Sequence, residues 1–317
     1  MIALIFGAIV FFHYLCTENN TLKFYERFYS LSPIRRHKAQ YRVSYGYFNG
    51  LLDSKSVVLM ELNTIYNEDC IIGMQSIPDK SVDCIITDLP FGCLNRNNPN
   101  AQWDSIIPFD KLWEQYERVI KDNGAIILFA QGMFTAQLMM SNPKLWRYNL
   151  IWDKVNRPTG FLNAKRMPMR IHEDICVFYK KQPTYNPQFT YGNVCHKRGK
   201  AGNSIGGGRN GCYGNFKQTE AIITNEKYPT SIVKIEKEFE HNNHYHPTQK
   251  ATKLIEWLIK TYSNEGDLIL DSCMGSGTTA IACLRTNRNF IGYELTKEYY
   301  DIAIERIKQE QMNQTLF

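Results

Sequence analysis

From Met60 onward, short apolar runs alternate with stretches whose apolar positions recur at helical spacing. Val82-Asp83-Cys84-Ile85-Ile86 predicts a buried strand ending at Thr87-Asp88, and Ala125-Ile126-Ile127-Leu128-Phe129 predicts a second. Between them, Leu112, Val119 and Ile120 fit one face of a helix that stops at Asn123-Gly124. Leu150-Ile151-Trp152 and the run Ile175 to Tyr179 add two more strands. Later, Leu254, Trp257 and Leu258 mark a helix that stops at Gly266, followed by the strand Leu268-Ile269-Leu270. A Gly-rich turn, a helix through Leu284 and the strand Phe290 to Tyr293 come next. Thr296 is placed to cap a last helix carrying Tyr299, Ile302, Ala303 and Ile307 on one face. Strands alternating with helices predict a doubly wound α/β sheet.

The alternation fails from about Lys180 to Tyr245, where Gly206-Gly207-Gly208, Asn and Tyr replace periodicity. An aperiodic stretch that long inside a compact domain reads as a functional insertion. Four segments result: an extension 1–59, a first half 60–179, an insertion 180–245 and a second half 246–317. The apolar run Ile2–Leu15 is too short for a bilayer span of roughly 20 residues. It also lacks a basic leader and a cleavage pattern, so the extension is expected to be dispensable and the protein cytoplasmic, with no membrane partner.

Composition narrows this only a little. The chain has 317 residues, 44% hydrophobic and 21% charged, as in globular proteins, and a mild net charge of +6. The distribution matters more: Lys180 to Thr219 holds seven Lys or Arg and no Asp or Glu, a stretch suited to phosphates. Nine cysteines without a CxxC pair exclude a zinc knuckle and a disulfide scaffold. His241, His244 and His246 have no cysteine nearby, so no metal site is expected.

Two motifs carry chemistry. Asp271-Ser-Cys-Met-Gly275-Ser276-Gly277-Thr278-Thr279 lies between a strand and a helix, where glycines let a ligand approach main-chain N–H groups. Glu294 ends the next strand, placed to accept hydrogen bonds from ribose hydroxyls. The glycine pattern alone also fits a dinucleotide, and so a nicotinamide-dependent dehydrogenase. Asp271, however, puts a negative charge where a pyrophosphate would lie, whereas S-adenosylmethionine presents an ammonium and a sulfonium. Upstream, Thr248 and Lys250 of His246-Pro247-Thr248-Gln249-Lys250 could hold that cofactor's carboxylate. The other motif, Asp88-Leu89-Pro90-Phe91, follows a buried strand and so occupies the ligand-binding edge of an open sheet. The Asp88 carboxylate and a neighbouring main-chain carbonyl could grip the hydrogens of an aryl amine and turn its lone pair toward a methyl donor. Phe91 offers a face for stacking.

With these motifs in this order, the chain resembles the beta-class amino-methyltransferases of DNA, from roughly Met60 to Ile307. The family's Asp-Pro-Pro-Tyr motif corresponds to Asp88-Leu89-Pro90-Phe91, with Leu for the first Pro and Phe for Tyr. The resemblance implies a Rossmann-like fold permuted so that catalysis precedes cofactor, with S-adenosylmethionine held by the Asp271–Thr279 loop, Glu294, the His246–Lys250 motif and Asp69, the last contacting the adenine amine. It also implies double-stranded DNA as substrate, a flipped base, and target reading by the insertion. Asp at the first motif position is commoner in the family's adenine-N6 enzymes, which favours adenine over cytosine N4. Without a Pro-Cys dipeptide, the chain offers no nucleophile for cytosine C5. RNA-base methylation and an inactive DNA-binding protein are the remaining alternatives; a restriction endonuclease is a candidate partner and a dimer a candidate assembly. Trp103-Asp104 and residues 92–104 are expected to form a flexible loop over the active site.

Overall fold

The computed structural model describes residues 61–94, 103–194, 224–237 and 249–315, and the strand backbones of residues 2–5, 8–12, 26–29, 41–45 and 57–60. The chain divides into two compact units, Met1–Gln40 and Tyr41–Phe317. In the first, β1 (Ile2–Ile5), β2 (Ala8–Phe12) and β3 (Glu26–Tyr29) form an antiparallel sheet. In the second, β4 (Tyr41–Tyr45) pairs antiparallel with β5 (Val57–Glu61), so Met60 lies inside a strand.

The elements that follow are β6 (Thr64–Tyr66), α1 (Cys70–Gly73), β7 (Val82–Thr87), α2 (Phe109–Val119), β8 (Ile120–Ala130), α3 (Met133–Ser141), β9 (Trp146–Asp153) and β10 (His172–Phe178). Then come β11 (Thr190–Tyr191), β12 (Glu226–Lys227), β13 (Ile232–Lys234), α4 (Thr252–Tyr262), β14 (Leu268–Asp271), α5 (Thr278–Arg285), β15 (Asn289–Tyr293) and α6 (Lys297–Thr315). Among the described residues, one eight-stranded sheet runs β13-β9-β10-β8-β7-β14-β15-β6. Its ladders are parallel except where β10 runs antiparallel to β8 and β9.

Strand alternation gives this sheet two apolar faces, as a sheet buried on both sides requires. Cys84, Ile86, Ile127, Phe129, Ile175, Val177, Ile269 and Phe290 pack with α4 and α5 on one side. Ile85, Ile126, Leu128, Cys176, Phe178, Leu270 and Ile291 pack with α2 and α3 on the other. In α2, Leu112, Trp113, Tyr116 and Val119 form the buried stripe.

Two expectations are corrected. The helix over Leu112 ends at Val119, not at Asn123-Gly124, because Ile120 already pairs with Val82 and residues 121–124 bulge out before Ala125 meets Cys84. A period of 3.6 cannot separate the last helical residue from the first strand residue when both are β-branched and buried. Within the 180–245 segment, β13 joins the main sheet parallel to β9, and β11 pairs with β12, so this stretch is not wholly irregular. Lys180 and Lys181 lie 3.7 and 3.0 Å from Asp122, so two of the seven cations there already have a carboxylate. Residues 195–223 and 238–248, with His241, His244, His246, Pro247 and Thr248, lie outside the described residues. Among the described residues no helix is long and apolar enough to cross a membrane.

Candidate active site

The centre of the sheet brings the two motifs together. β7 and β14 are parallel neighbours, with Ile269 opposite Cys84 and Leu270 opposite Ile85, so the loops leaving their carboxyl ends emerge side by side. A stitch of hydrogen bonds fixes those ends: the Ser272 N–H donates to Thr87 Oγ1 at 3.1 Å, and the Ser272 and Tyr116 hydroxyls are 2.6 Å apart. One cavity of about 1030 Å³ is lined by Asp69, by Asp88 to Phe91, by Lys250, by Asp271 to Ser276 with Thr278, and by Glu294.

On the glycine-turn side, Gly275 has φ +55 and Gly277 φ +84, conformations an L side chain resists. The two glycines serve different ends. A Cβ on Gly275 would meet nothing within 4 Å, which leaves its backbone open to a ligand. A Cβ on Gly277 would lie 3.0 Å from that of Ala303, so this glycine lets α5 and α6 close together. Gly277 caps α5, and buried Thr278 opens it. Ser276 is fixed through its carbonyl, which accepts from Arg306 at 2.6 Å. Glu294 accepts from the N–H groups of Gly275 and Thr296, each at 2.8 Å. Burial nonetheless raises its pKa. Its carboxylate lines the same cavity as Gly275, where ribose hydroxyls would meet it. Asp271, fully buried, accepts from the Cys273 N–H at 3.0 Å and from the Thr279 hydroxyl at 2.6 Å. Burial pushes its carboxyl up to about 7, so a cationic ligand would be needed to hold it fully ionised at neutral pH. Asp69 caps α1 through Oδ1, accepting from Ile71 and Ile72. An open backbone cradle, ribose-competent acceptors and a buried acid that wants a cation fit S-adenosylmethionine.

On the other side, Asp88 follows β7 and is enclosed in a chain of alternating charge. Lys250 Nζ lies 2.5 Å from Asp88 Oδ2 and 3.4 Å from Glu173 Oε2; Lys154 Nζ lies 2.5 Å from Glu173 Oε1. All four side chains are buried or largely so. Burial alone would discharge Lys250, but Asp88 and Glu173 outweigh it and raise its pKa. Burial also pushes Glu173 up, yet the two lysines win and hold it below the usual carboxylate range. For Asp88 burial prevails and the pKa is raised, with Lys250 pulling against it. Asp88 Oδ1 is buried and has no hydrogen-bond partner among the described residues. A buried acceptor without a donor is unfavourable by about 1–3 kcal/mol, and this oxygen faces the cavity where a ligand's donor would meet it. Lys250, expected to face a cofactor carboxylate, here faces Asp88 and Glu173.

The rest of the motif packs around this group. Leu89 is buried in the core beside α2, and it is its main chain that offers polar groups to the cavity. Its position explains how the departure from Pro is absorbed. Phe91 packs on Phe134 with centroids 4.9 Å apart, while Lys250 Nζ lies 5.9 Å from its ring centroid. Asp104 is not part of a loose strap: it is buried and accepts from the N–H groups of Gly92 and Leu94 at 2.9 and 2.6 Å, clamping the chain after Phe91. Trp103 lies edge-on to Tyr299 with centroids 6.4 Å apart. Residues 95–102 lie outside the described residues. Sequence reasoning missed Lys154 and Glu173, and it placed Asp104 in a flexible loop, not in this clamp. Lys154 directly follows β9 and Glu173 lies near the start of β10, and their pairing depends on these two strands being antiparallel. Among the described residues no group of three potential metal ligands occurs.

Comparison with known proteins agrees with this geometry. A family described as DNA methylase, of the N6/N4 type, matches residues 82–305. The chain is 29% identical over 280 residues to the type II methyltransferase M1.MboII of Moraxella bovis, covering 80% of this chain and 100% of that one. It is 28% identical over 255 residues to the type II methyltransferase M.HpaI of Haemophilus parainfluenzae, covering 76% and 73%. In fold it is similar to the PvuII DNA methyltransferase (cytosine-N4-specific), with a TM-score of 0.54 at 16% identity, covering 78% of this chain and 90% of that one. It is likewise similar to M1.HpyAVI in complex with S-adenosylmethionine, with a TM-score of 0.50 at 23% identity, covering 77% and 98%. The chain belongs to the N6/N4 DNA methylase family and is a DNA methyltransferase dependent on S-adenosylmethionine.

Proposed function

We propose that the protein methylates N6 of adenine at a specific site in double-stranded DNA, acting on a base extruded into the cavity beside Asp88. The observation that carries this reading is the buried, unpartnered Oδ1 of Asp88, in the same cavity as Gly275 and Glu294. S-adenosylmethionine supplies a methyl group on a sulfonium, so transfer needs no covalent intermediate with the protein. Asp88 Oδ1 accepts one hydrogen of the exocyclic amine, and the Leu89 carbonyl is the neighbouring acceptor for the other. Held so, the nitrogen lone pair turns out of the ring's conjugation, and the carboxylate stabilises the positive charge that develops on nitrogen. Lys250 keeps Oδ2 occupied and anchors the carboxylate, leaving Oδ1 as its working oxygen. Phe91 gives the base a partner for stacking. Glu294, Asp271 and the Gly275 backbone hold the donor, and Asp69 reaches its adenine.

Asp rather than Ser at position 88 favours adenine; cytosine N4 is the second reading, because the same acceptors would grip its amine. A restriction endonuclease is a candidate partner. The test is incubation of purified protein with methyl-tritiated S-adenosylmethionine and either unmethylated DNA or RNA, followed by digestion to nucleosides. Label in N6-methyldeoxyadenosine is expected; label in N4-methyldeoxycytidine, or in RNA only, contradicts the proposal.

A further inference from the structure

β9 and β10 are joined by a hairpin whose tip, residues 160–169, the reaction described above leaves unused. Its stem is built: Thr159 and Arg170 exchange main-chain hydrogen bonds of 2.7 and 3.0 Å. Gly160, at φ +85, turns the chain into a helical turn from Phe161 to Asn163, closed by the N–H groups of Arg166 and Met167 on the Asn163 carbonyl. On this defined tip the side chains are the reverse of what solvent favours. Phe161 is 74% exposed and Leu162 85%, with Met167 and Met169 about half exposed. Large apolar residues clustered on a hydrogen-bonded, exposed turn mark a contact surface.

Two observations identify the occupant. From Val155 to His172 there are four cations, Arg157, Lys165, Arg166 and Arg170, and no carboxylate, which matches a polyanion. The hairpin is continuous with the active site: its two strands deliver Lys154 and Glu173 to the Asp88 group, and Thr159 lines the same cavity. We propose that this hairpin is a wedge that enters the DNA duplex beside the target, Phe161 and Leu162 filling the space the base vacates while Lys165 and Arg166 hold the flanking phosphates. The proposal rests on base extrusion.

The test uses a duplex carrying the site mapped from the protein's own methylation, with 2-aminopurine at the target for fluorescence and adenine there for turnover. The unaltered protein should raise the fluorescence as the base unstacks. Phe161→Ser with Leu162→Ser should abolish most of that rise and slow single-turnover methylation by about tenfold or more. Opposite an abasic site, where the target is already unpaired, the same variant should recover to within about twofold of the unaltered protein. Equal loss on both duplexes, or no loss on either, overturns the wedge. So does a variant that merely shifts a dimer to monomer, which would make the hairpin a contact between copies. If the unaltered protein methylates the duplex without raising fluorescence, base extrusion itself falls, and the wedge with it. A rise that the variant retains in full removes the wedge alone.

Discussion

Asp88 and Asp271 are both buried carboxylates with raised pKa values, yet their surroundings assign them different work. Asp271 accepts from the Cys273 N–H and the Thr279 hydroxyl, yet burial lifts it from its ordinary 3.8 to about 7. Because the folded state binds this proton more tightly than the unfolded state, its contribution to stability is full below about pH 4 and is lost as pH rises toward 7. Asp271→Asn should therefore flatten thermal stability between those limits, measured by melting across pH. For S-adenosylmethionine the sign reverses: a cation favours the ionised form, so affinity of the unaltered protein should fall as pH drops below 7, with proton release on binding seen by calorimetry. Among the described residues Asp88 keeps one oxygen unpaired, so Asp88→Ala should leave donor binding intact and lower methyl transfer by about 100-fold or more. Removing Lys250 as Lys250→Met should raise the pKa of Asp88 further and move the acid limb of kcat to higher pH. An unmoved limb would show that the lysine only fills space. At this scale the places of Asp88, Glu294 and the glycine turn at strand ends were legible, because each stands in a short motif directly after an apolar run. The partners of Asp88 were not: Lys250 is 162 positions away, and only the sheet brings it to 2.5 Å.

The two strand-to-loop junctions at the centre of the sheet work as one element. Tyr116, Ser272 and Thr87 tie them together, and Asp104 ties down the chain after Phe91. Gly277→Ala should test the junction with α5. The substitution forces an L residue to φ +84 and against Ala303, which at about 1–2 kcal/mol of backbone strain should lower the melting temperature and weaken donor binding together. Unchanged affinity would mean the turn does not shape the donor site. Most strands were legible from apolar runs bounded by turn residues. The carboxyl end of α2 was not, since Val119 and Ile120 look alike to a period count while only the second has a strand partner. β13 escaped because three residues flanked by polar chain carry no period, and their place is fixed by pairing with β9.

For the whole molecule, the order of motifs along the chain reflects the sheet: a catalytic strand and a cofactor strand distant in sequence become neighbours at its centre. The alternation of β and α elements made this architecture readable, whereas the antiparallel β10 required knowing which strands adjoin. A chain beginning at Tyr41, which drops the separate unit Met1–Gln40, should retain donor binding and methylation, measured side by side with the full chain. Loss of solubility or activity would assign that unit a role. The most direct measurement of the central claim is expression in a methylation-free bacterial host, with modified bases mapped across the genome for the unaltered protein and for Asp88→Ala. N6-methyladenine at one recurring sequence, absent with the variant, is the expected result; methylation that survives the loss of the Asp88 carboxylate would contradict it.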